Sequence, residues 1–248
     1  MRRLTNQKPP GSTLDISILA CSKGAEVYSI LWTIRRARPD LEIRTRAVDI
    51  SQEILSFAEK GVYSFSNLAG FDGPGPPEEN DVIRNTRRDQ QSSMFERMTA
   101  EEMQAMFDIE GEEAKVKTWL KDGITWLLGD AGDPQLAASL GPQDIVVANR
   151  FLCHMEPVAA ERTLRNISHM VKPGGYLFVS GVDLDVRTRV ASEMKWTPVT
   201  DLMREIHDGD VSLRRGWPTD YWGLEPFSDK RPLWKIRYAS AFQIGASA

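Results

Sequence analysis

Cysteine is scarce in this chain: among 248 residues there are two, Cys21 and Cys153. That excludes a disulfide framework, and the spacing offers no ligand set for a structural zinc site. Each follows or ends an expected strand, so both read as free, small, buried residues in a reducing cytoplasm. Long apolar runs are missing too. Nothing reaches the length of a membrane span, and Met1 to Thr13 is polar without a signal-peptide core. Positive charge is not in excess: 31 Lys and Arg stand against 35 Asp and Glu, a formal net charge of −4, which argues against a nucleic-acid surface. Internal repeats and low-complexity tracts are absent, and the length fits one domain with insertions. The expected division is an N-terminal tail, residues 1–15, and a single domain, residues 16–248, located in the cytoplasm with neither nucleic acid nor membrane as partner.

What is present begins at Ile16. The run I-S-I-L-A suits a strand buried on both faces, Ser22, Lys23 and Gly24 make a tight turn, and Val27, Ile30, Leu31 and Ile34 recur at helical spacing. A strand, turn and helix in this order form a cradle for a nucleotide-type cofactor, with the free N–H groups of the helix start aimed above the strand. The dinucleotide fingerprint G-x-G-x-x-G is not there, because Gly24 is the only glycine in the turn. Glu26 in the first helical turn would repel a phosphate and welcome an ammonium. S-adenosylmethionine carries an amino acid and a sulfonium and no phosphate. The spacing leaves open a second role for Glu26, as a simple complement to the helix dipole.

Glu42 to Ile50 reads as a second strand with Asp49 at its carboxyl end, where an acid accepts from both hydroxyls of a ribose or caps the helix that follows. Ile124 to Leu128 and Asp144 to Ala148 give two more apolar strands, ending near Asp130 and Asn149. From Val171, V-K-P-G-G-Y-L-F-V-S-G reads as a helix stop and turn feeding another strand. This order predicts an open, mostly parallel α/β sheet with ligands at the carboxyl ends of its strands.

With those residues in hand, the chain resembles the CheR-type chemotaxis receptor methyltransferases. The family turn reads roughly S-T-G-E-E-P-Y-S, and Ser22 to Ser29 reads S-K-G-A-E-V-Y-S, keeping Ser22, Gly24, Glu26 and the Tyr28-Ser29 pair. Asp49-Ile50 matches the family's D-I, Gly61-Val62-Tyr63 its G-I-Y, and Met94 to Trp126 the segment before its third sheet strand. Asp144 to Ile167 aligns without a gap to D-x-I-x-C-R-N-V-x-I-Y-F, so the likeness covers residues 16 to about 184.

The resemblance implies a Rossmann-like class I methyltransferase fold, with S-adenosylmethionine as cofactor and S-adenosylhomocysteine as product. It implies cofactor contacts from Ala20, Ser22, Gly24 and Glu26 in the turn, from Asp49 and Ile50 after the second strand, from Asp130 and Ala131, and from Asn149. Arg150 and His154 are expected beside the reacting methyl, and Tyr28 towards the acceptor. The departures are informative as well. The family's Arg-Asn pair is reversed here as Asn149-Arg150, its tyrosine becomes His154, and its asparagine near the adenine becomes Asp130. The helical domain that precedes the receptor enzymes' catalytic domain has no counterpart in Met1 to Asp15. The missing helical domain and the aromatic C-terminal region favour a small-molecule oxygen or nitrogen acceptor over a receptor glutamate, and histidine as a base would suit a hydroxyl or amine. Receptor-type O-methylation of protein glutamate and a non-catalytic cofactor-binding signalling module remain as alternatives. No metal is expected.

Three stretches break the basic pattern. A glycine- and proline-rich insertion near residues 65–93 contains F-D-G-P-G-P-P-E-E. Met94 to Phe107 carries a methionine and phenylalanine stripe that suits core packing. The region 196–234 concentrates aromatic residues, and Trp217, Tyr221 and Trp222 form a candidate acceptor pocket or a satellite core. Leu233 to Ile244 alternates in a way that predicts a closing antiparallel edge strand.

Overall fold

The computed structural model describes residues 5–64, 95, 98–209 and 225–245. The proposed insertion near residues 65–93, Met94 of the stripe, and Trp217, Tyr221 and Trp222 lie outside the described residues.

The core of the fold is a seven-stranded sheet in the order β6-β2-β1-β7-β8-β10-β9. Its strands are β1 (Thr13–Leu19), β2 (Glu42–Asp49), β6 (Ile124–Leu128), β7 (Gln143–Asn149), β8 (Val171–Ser180), β9 (Thr197–Pro198) and β10 (Ala241–Gln243). Pairing is parallel from β6 through β8, whereas β10 runs antiparallel to both β8 and β9. The central strands are continuous apolar runs because helices cover both faces: Ile16, Ile18 and Leu19 of β1 and Val146, Val147 and Ala148 of β7 are all buried. Five residues of α1 (Ala25–Ala37) are buried against the sheet or its neighbours, Val27, Tyr28, Leu31, Trp32 and Ile34. Each contributes about 1.5 to 3 kcal/mol by leaving water. Helix α2 (Gln52–Lys60) starts from the Ser51 side chain, which accepts from the Ile54 N–H at 3.3 Å. Among the described residues no helix is long and apolar enough to cross a membrane.

The strand order reverses at β1. The chain moves from β1 outward through β2 to β6, then crosses to the other side of β1 to form β7. Ligands of open α/β sheets bind in the crevice at such a reversal, beyond the carboxyl ends of the strands.

A second sheet was not foreseen. Its order is β3-β5-β4, from Val62–Ser64, Glu113–Val116 and Phe107–Glu110, and α3 (Ala100–Met106) leads into it through a capping box of Thr99 and Glu102. The stripe expected to pack does so: Met106 and Phe107 are buried, and Phe95, Met98 and Met103 rest on the same cluster as Tyr63. The short α4 (Thr118–Lys121) and α5 (Pro134–Leu140) flank β6, and α6 (Pro157–Ser168) and α7 (Leu184–Glu193) flank β8.

The predicted closing antiparallel strand is present as β10, but it is shorter than expected. Leu233 to Ile244 is a short helix, α9 (Trp234–Tyr238), followed by β10; the sheet edge is β9, which ends in Pro198. In W-K-I-R-Y the residues Trp234 and Tyr238 stand one helical turn apart, a spacing that alternation does not distinguish from a strand over so few residues. Tyr238 is buried, and Arg237 pairs with Glu225 and Asp185, which holds the helical form. The turn expected at Pro173 to Gly175 lies inside β8 as an irregularity in its pairing with β7. Helix α8 (Met203–Asp208) completes the described elements.

Candidate functional site

The turn after β1 is defined by its backbone. Ala20, Ser22 and Gly24 all have positive φ, at 51°, 49° and 83°. A left-handed conformation is natural for glycine but costs a non-glycine residue about 1 to 3 kcal/mol, so the surroundings must hold Ala20 and Ser22 there. They do. The Cys21 N–H donates to the Val48 carbonyl at 2.9 Å and the Ser22 N–H to Asp49 Oδ2 at 2.8 Å. The Tyr63 hydroxyl donates to the Lys23 carbonyl at 2.7 Å, which ties the turn to the second sheet. Gly24 is required in addition for space, since a Cβ there would lie 3.0 Å from the Ala58 side chain and 3.2 Å from Trp126. As N-cap of α1 it provides no side-chain cap, so the helix opens with uncapped N–H groups.

Asp49 ends β2 and is nearly buried, at 8% exposure. Its second oxygen, Oδ1, accepts from the Ser51 N–H at 3.1 Å, so the carboxylate joins the cradle turn to the start of α2. Ile50 beside it is 74% exposed, a large apolar side chain at the rim of the cleft. Asp130, beyond β6, is exposed and accepts from the Gly132 N–H at 2.7 Å, which fixes the loop around buried Ala131.

Across the strand reversal, Asn149 at the end of β7 donates from Nδ2 to Glu26 Oε1 at 2.6 Å. The Asn149 Oδ1 accepts from the Ser180 hydroxyl at 2.9 Å. Burial, the largest influence, pushes the Glu26 carboxyl above its ordinary pKa, against the Asn149 hydrogen bond and the Arg150 charge, which act the other way. Arg150 itself is exposed with φ 57°, and its N–H donates to the Ser180 carbonyl at 2.9 Å. Gly181 makes room for it: a Cβ on Gly181 would stand 2.6 Å from the Arg150 Cα. The reversed Asn-Arg order thus puts arginine at a backbone position that asparagine tolerates better. His154 is exposed and ends the one-turn 3₁₀ helix Leu152–His154 that follows.

The sequence-predicted set therefore divides. Ala20, Ser22, Gly24, Glu26, Asp49 and Asn149 are linked by direct contacts or by the turn itself, whereas Ile50, Asp130, Ala131, Arg150 and His154 occupy loops at the carboxyl ends of the same strands. Tyr28, expected towards the acceptor, is 1% exposed, and its hydroxyl donates to the Ala58 carbonyl at 2.6 Å. Cys21 is buried, as expected, and its thiol is pushed up to about 12, first by burial and then by Asp49, so it is no nucleophile. Sequence reasoning missed Ser180 and the pin from Tyr63. Gly24 alone marked the turn in the sequence; the left-handed Ala20 and Ser22 carry no signal there, since alanine and serine disfavour that conformation. A cavity of about 270 Å³ lies between α1, the second sheet and α3, bounded in part by Ala25, Tyr28, Trp32, Tyr63 and Phe107.

Two methyltransferase models match successive parts of the chain. Residues 1–73 match the model of the CheR methyltransferase SAM-binding domain, and residues 92–179 match a methyltransferase domain. The chain is an S-adenosylmethionine-dependent methyltransferase. The SAM-binding model spans the cradle turn, Glu26 and Asp49, and the second model spans β6, β7 and most of β8. No curated protein matches the sequence. Similar solved structures include an N-methyltransferase from Bradyrhizobium japonicum in complex with S-adenosyl-L-homocysteine, at 14% identity over 79% of this chain and 71% of that one, TM-score 0.40. An O-methyltransferase family protein from Burkholderia thailandensis has 15% identity over 94% of this chain, TM-score 0.41, and the methyltransferase here spans 51% of its length. Magnesium protoporphyrin IX methyltransferase from Synechocystis, with bound SAM, has 14% identity over 79% of this chain and 65% of its own, TM-score 0.41.

Proposed function

We propose that the crevice at the carboxyl ends of β1, β2 and β7 binds the methyl donor and directs its methyl group to an oxygen or nitrogen of a small-molecule acceptor. The observation that carries the donor site is the Glu26 carboxylate, largely buried at the strand reversal and accepting from a single neutral amide, Asn149. A carboxylate in that setting is under-compensated and gains from a cation. The donor's ammonium and sulfonium meet that need, and a phosphate does not. Asp49 has lone pairs left beyond the two backbone N–H groups it accepts from, suited to ribose hydroxyls. Ile50 offers an apolar surface for the adenine, Asp130 an acceptor for its amine, and Ala131 the close wall beside it.

When bound, S-adenosylmethionine supplies an activated methyl that leaves its sulfonium by in-line displacement. The protein's part is then largely positioning. Arg150, held at the mouth of the crevice by Gly181, orients the acceptor, and His154 takes the proton of a hydroxyl or amine as it attacks. A second reading, transfer to a carboxylate, is favoured by Arg150 alone, because a guanidinium pairs well with a carboxylate and such an acceptor needs no base.

Labelled donor incubated with candidate metabolites and proteins separates the two. Label stable to mild base on a small molecule is expected; base-labile label on protein carboxylates would support the second reading, and no transfer at all would reduce the protein to a binding module. Once an acceptor is in hand, His154→Gln should lower turnover and remove an ionisation near neutral pH while donor affinity stays constant. Unchanged turnover with the same pH profile would remove His154 from the chemistry. NAD should not compete with the donor.

A further inference from the structure

We infer that Ser180 is a positioning residue for the methyl-donor site, its hydroxyl holding the Asn149 amide in the orientation that presents an N–H to Glu26. The inference rests on the reading above that Glu26 receives the donor's ammonium.

Three side chains form one line across the strand reversal: Ser180 Oγ donates to Asn149 Oδ1 at 2.9 Å, and Asn149 Nδ2 donates to Glu26 Oε1 at 2.6 Å. The line has little slack. Asn149 and Ser180 are register partners on neighbouring strands, so their side chains stand together on one face, and the Arg150 N–H bond to the Ser180 carbonyl fixes the ends of β7 and β8 at that level. An asparagine amide has one donating and one accepting end. In the observed orientation it stabilises the Glu26 carboxylate. Turned over, it would place Oδ1 against Glu26, an arrangement that suits only the protonated acid, which can donate. A hydroxyl could also accept from a turned amide, so the preference comes from cooperation along the line: the Ser180 donation to Oδ1 polarises the amide and strengthens its N–H towards the Glu26 carboxylate, which weights the first state.

Glu26 therefore has two forms tied to two amide orientations, and only the ionised form attracts an ammonium. The charged and titratable groups around it are Arg150 after β7 and Cys21 in the cradle turn, with Asp49 at the end of β2 acting on Cys21. Arg150 favours the ionised form, but burial outweighs it, so the fixed amide matters. Ser180 acts through Asn149 and does not itself meet the donor in this account.

The test is the affinity of the full chain for S-adenosylhomocysteine, which carries the ammonium, measured by calorimetry from about pH 5 to about pH 9. The wild type should bind more weakly as pH falls through the Glu26 pKa. Ser180→Ala should weaken binding about fivefold at neutral pH, the worth of one hydrogen bond of about 1 kcal/mol, and should shift the acidic limb to higher pH. Ser180→Thr, which keeps the hydroxyl, should restore both, and Glu26→Gln should weaken binding and abolish the limb. Wild-type affinity and profile in Ser180→Ala, or a weakening with no shift of the limb, overturns the role of Ser180 while Glu26→Gln still weakens. Unchanged affinity in Glu26→Gln instead takes down the donor reading beneath it. Should Ser180→Ala fail to fold, Ser180→Cys, of similar size but a weak donor, reads the same shift.

Discussion

The two ends of the same parallel strands are built on opposite principles. At the amino ends of β1, β7 and β8, charges compensate one another: Asp144 accepts from Lys8 Nζ at 2.9 Å, from Lys172 Nζ at 3.3 Å and from the Asp15 N–H at 2.8 Å, and Lys172 also pairs with Asp15 at 2.8 Å. At the carboxyl ends, Glu26 is partly buried and hydrogen-bonded to one neutral amide, and Ala20, Ser22 and Arg150 are held in left-handed conformations. One end spends its polar groups on itself. The other keeps backbone strain and a carboxylate whose burial outweighs its Asn149 and Arg150 support, which is the usual mark of a surface completed by a ligand.

Asp49→Ala should have the largest effect, because Asp49 serves both purposes at the ligand end. It removes the acceptor for the Ser22 and Ser51 N–H groups, and charge-assisted bonds of this kind should together amount to roughly 3 kcal/mol of stability. Donor affinity should fall with it by more than tenfold, readable by calorimetry on protein shown to be folded at the temperature used. A stable variant with full affinity would break the contrast at its strongest point.

Asp144→Ala is the matched change at the other end. Denaturant titration should show a loss of about 2 kcal/mol, since Lys8 and Lys172 lose a partly buried partner, while the donor dissociation constant stays within error. Its pH dependence has a definite sign. Burial tends to raise the Asp144 carboxyl, but the Asp15 N–H, Lys8 and Lys172 outweigh it and hold the pKa below the ordinary value. The stabilisation is therefore present above the unfolded carboxylate pKa of about 3.9 and is lost as pH falls through the lower folded value. Wild type and Asp144→Ala should converge in stability there. If the substitution weakened donor binding, the two ends would be coupled and the contrast would fail.

The five strands from β6 to β8 were legible because long apolar runs such as Ile16 to Ala20 and Asp144 to Ala148 carry their own signal, and the turn residues Ser22 to Glu26 were legible from their order. The second sheet was not, because β3, β4 and β5 are too short for any period to register, and their burial comes from Tyr63, Phe107 and Ala114 meeting across distant segments. For the same reason α9 was taken as strand. In the candidate site, acids at strand ends could be read from position alone. Ser180 could not, since its part depends on the register that brings β8 alongside Asn149. The burial of Tyr28 could not be read either, because a motif match does not tell which face of a helix its tyrosine occupies.

The smallest expected effect tests the strain itself. Ser22 is exposed with φ 49°, so Ser22→Gly relieves a left-handed penalty of about 1 to 2 kcal/mol while adding about 0.5 to 1 kcal/mol of unfolded-chain entropy. The net should be a gain of about 0.5 kcal/mol, near the limit of a careful denaturant titration. Ala20→Gly should behave alike, and the pair should add only in part, since both belong to one turn. The informative measurement is donor affinity beside stability. Greater stability with unchanged affinity means that the backbone shape alone makes the cradle. Greater stability with weaker affinity means that the Ser22 hydroxyl touches the donor and the strain is retained to place it. Lower stability would show that Ser22 and Ala20 carry no penalty in the turn, and the contrast between the two ends would then rest on the Glu26 carboxylate.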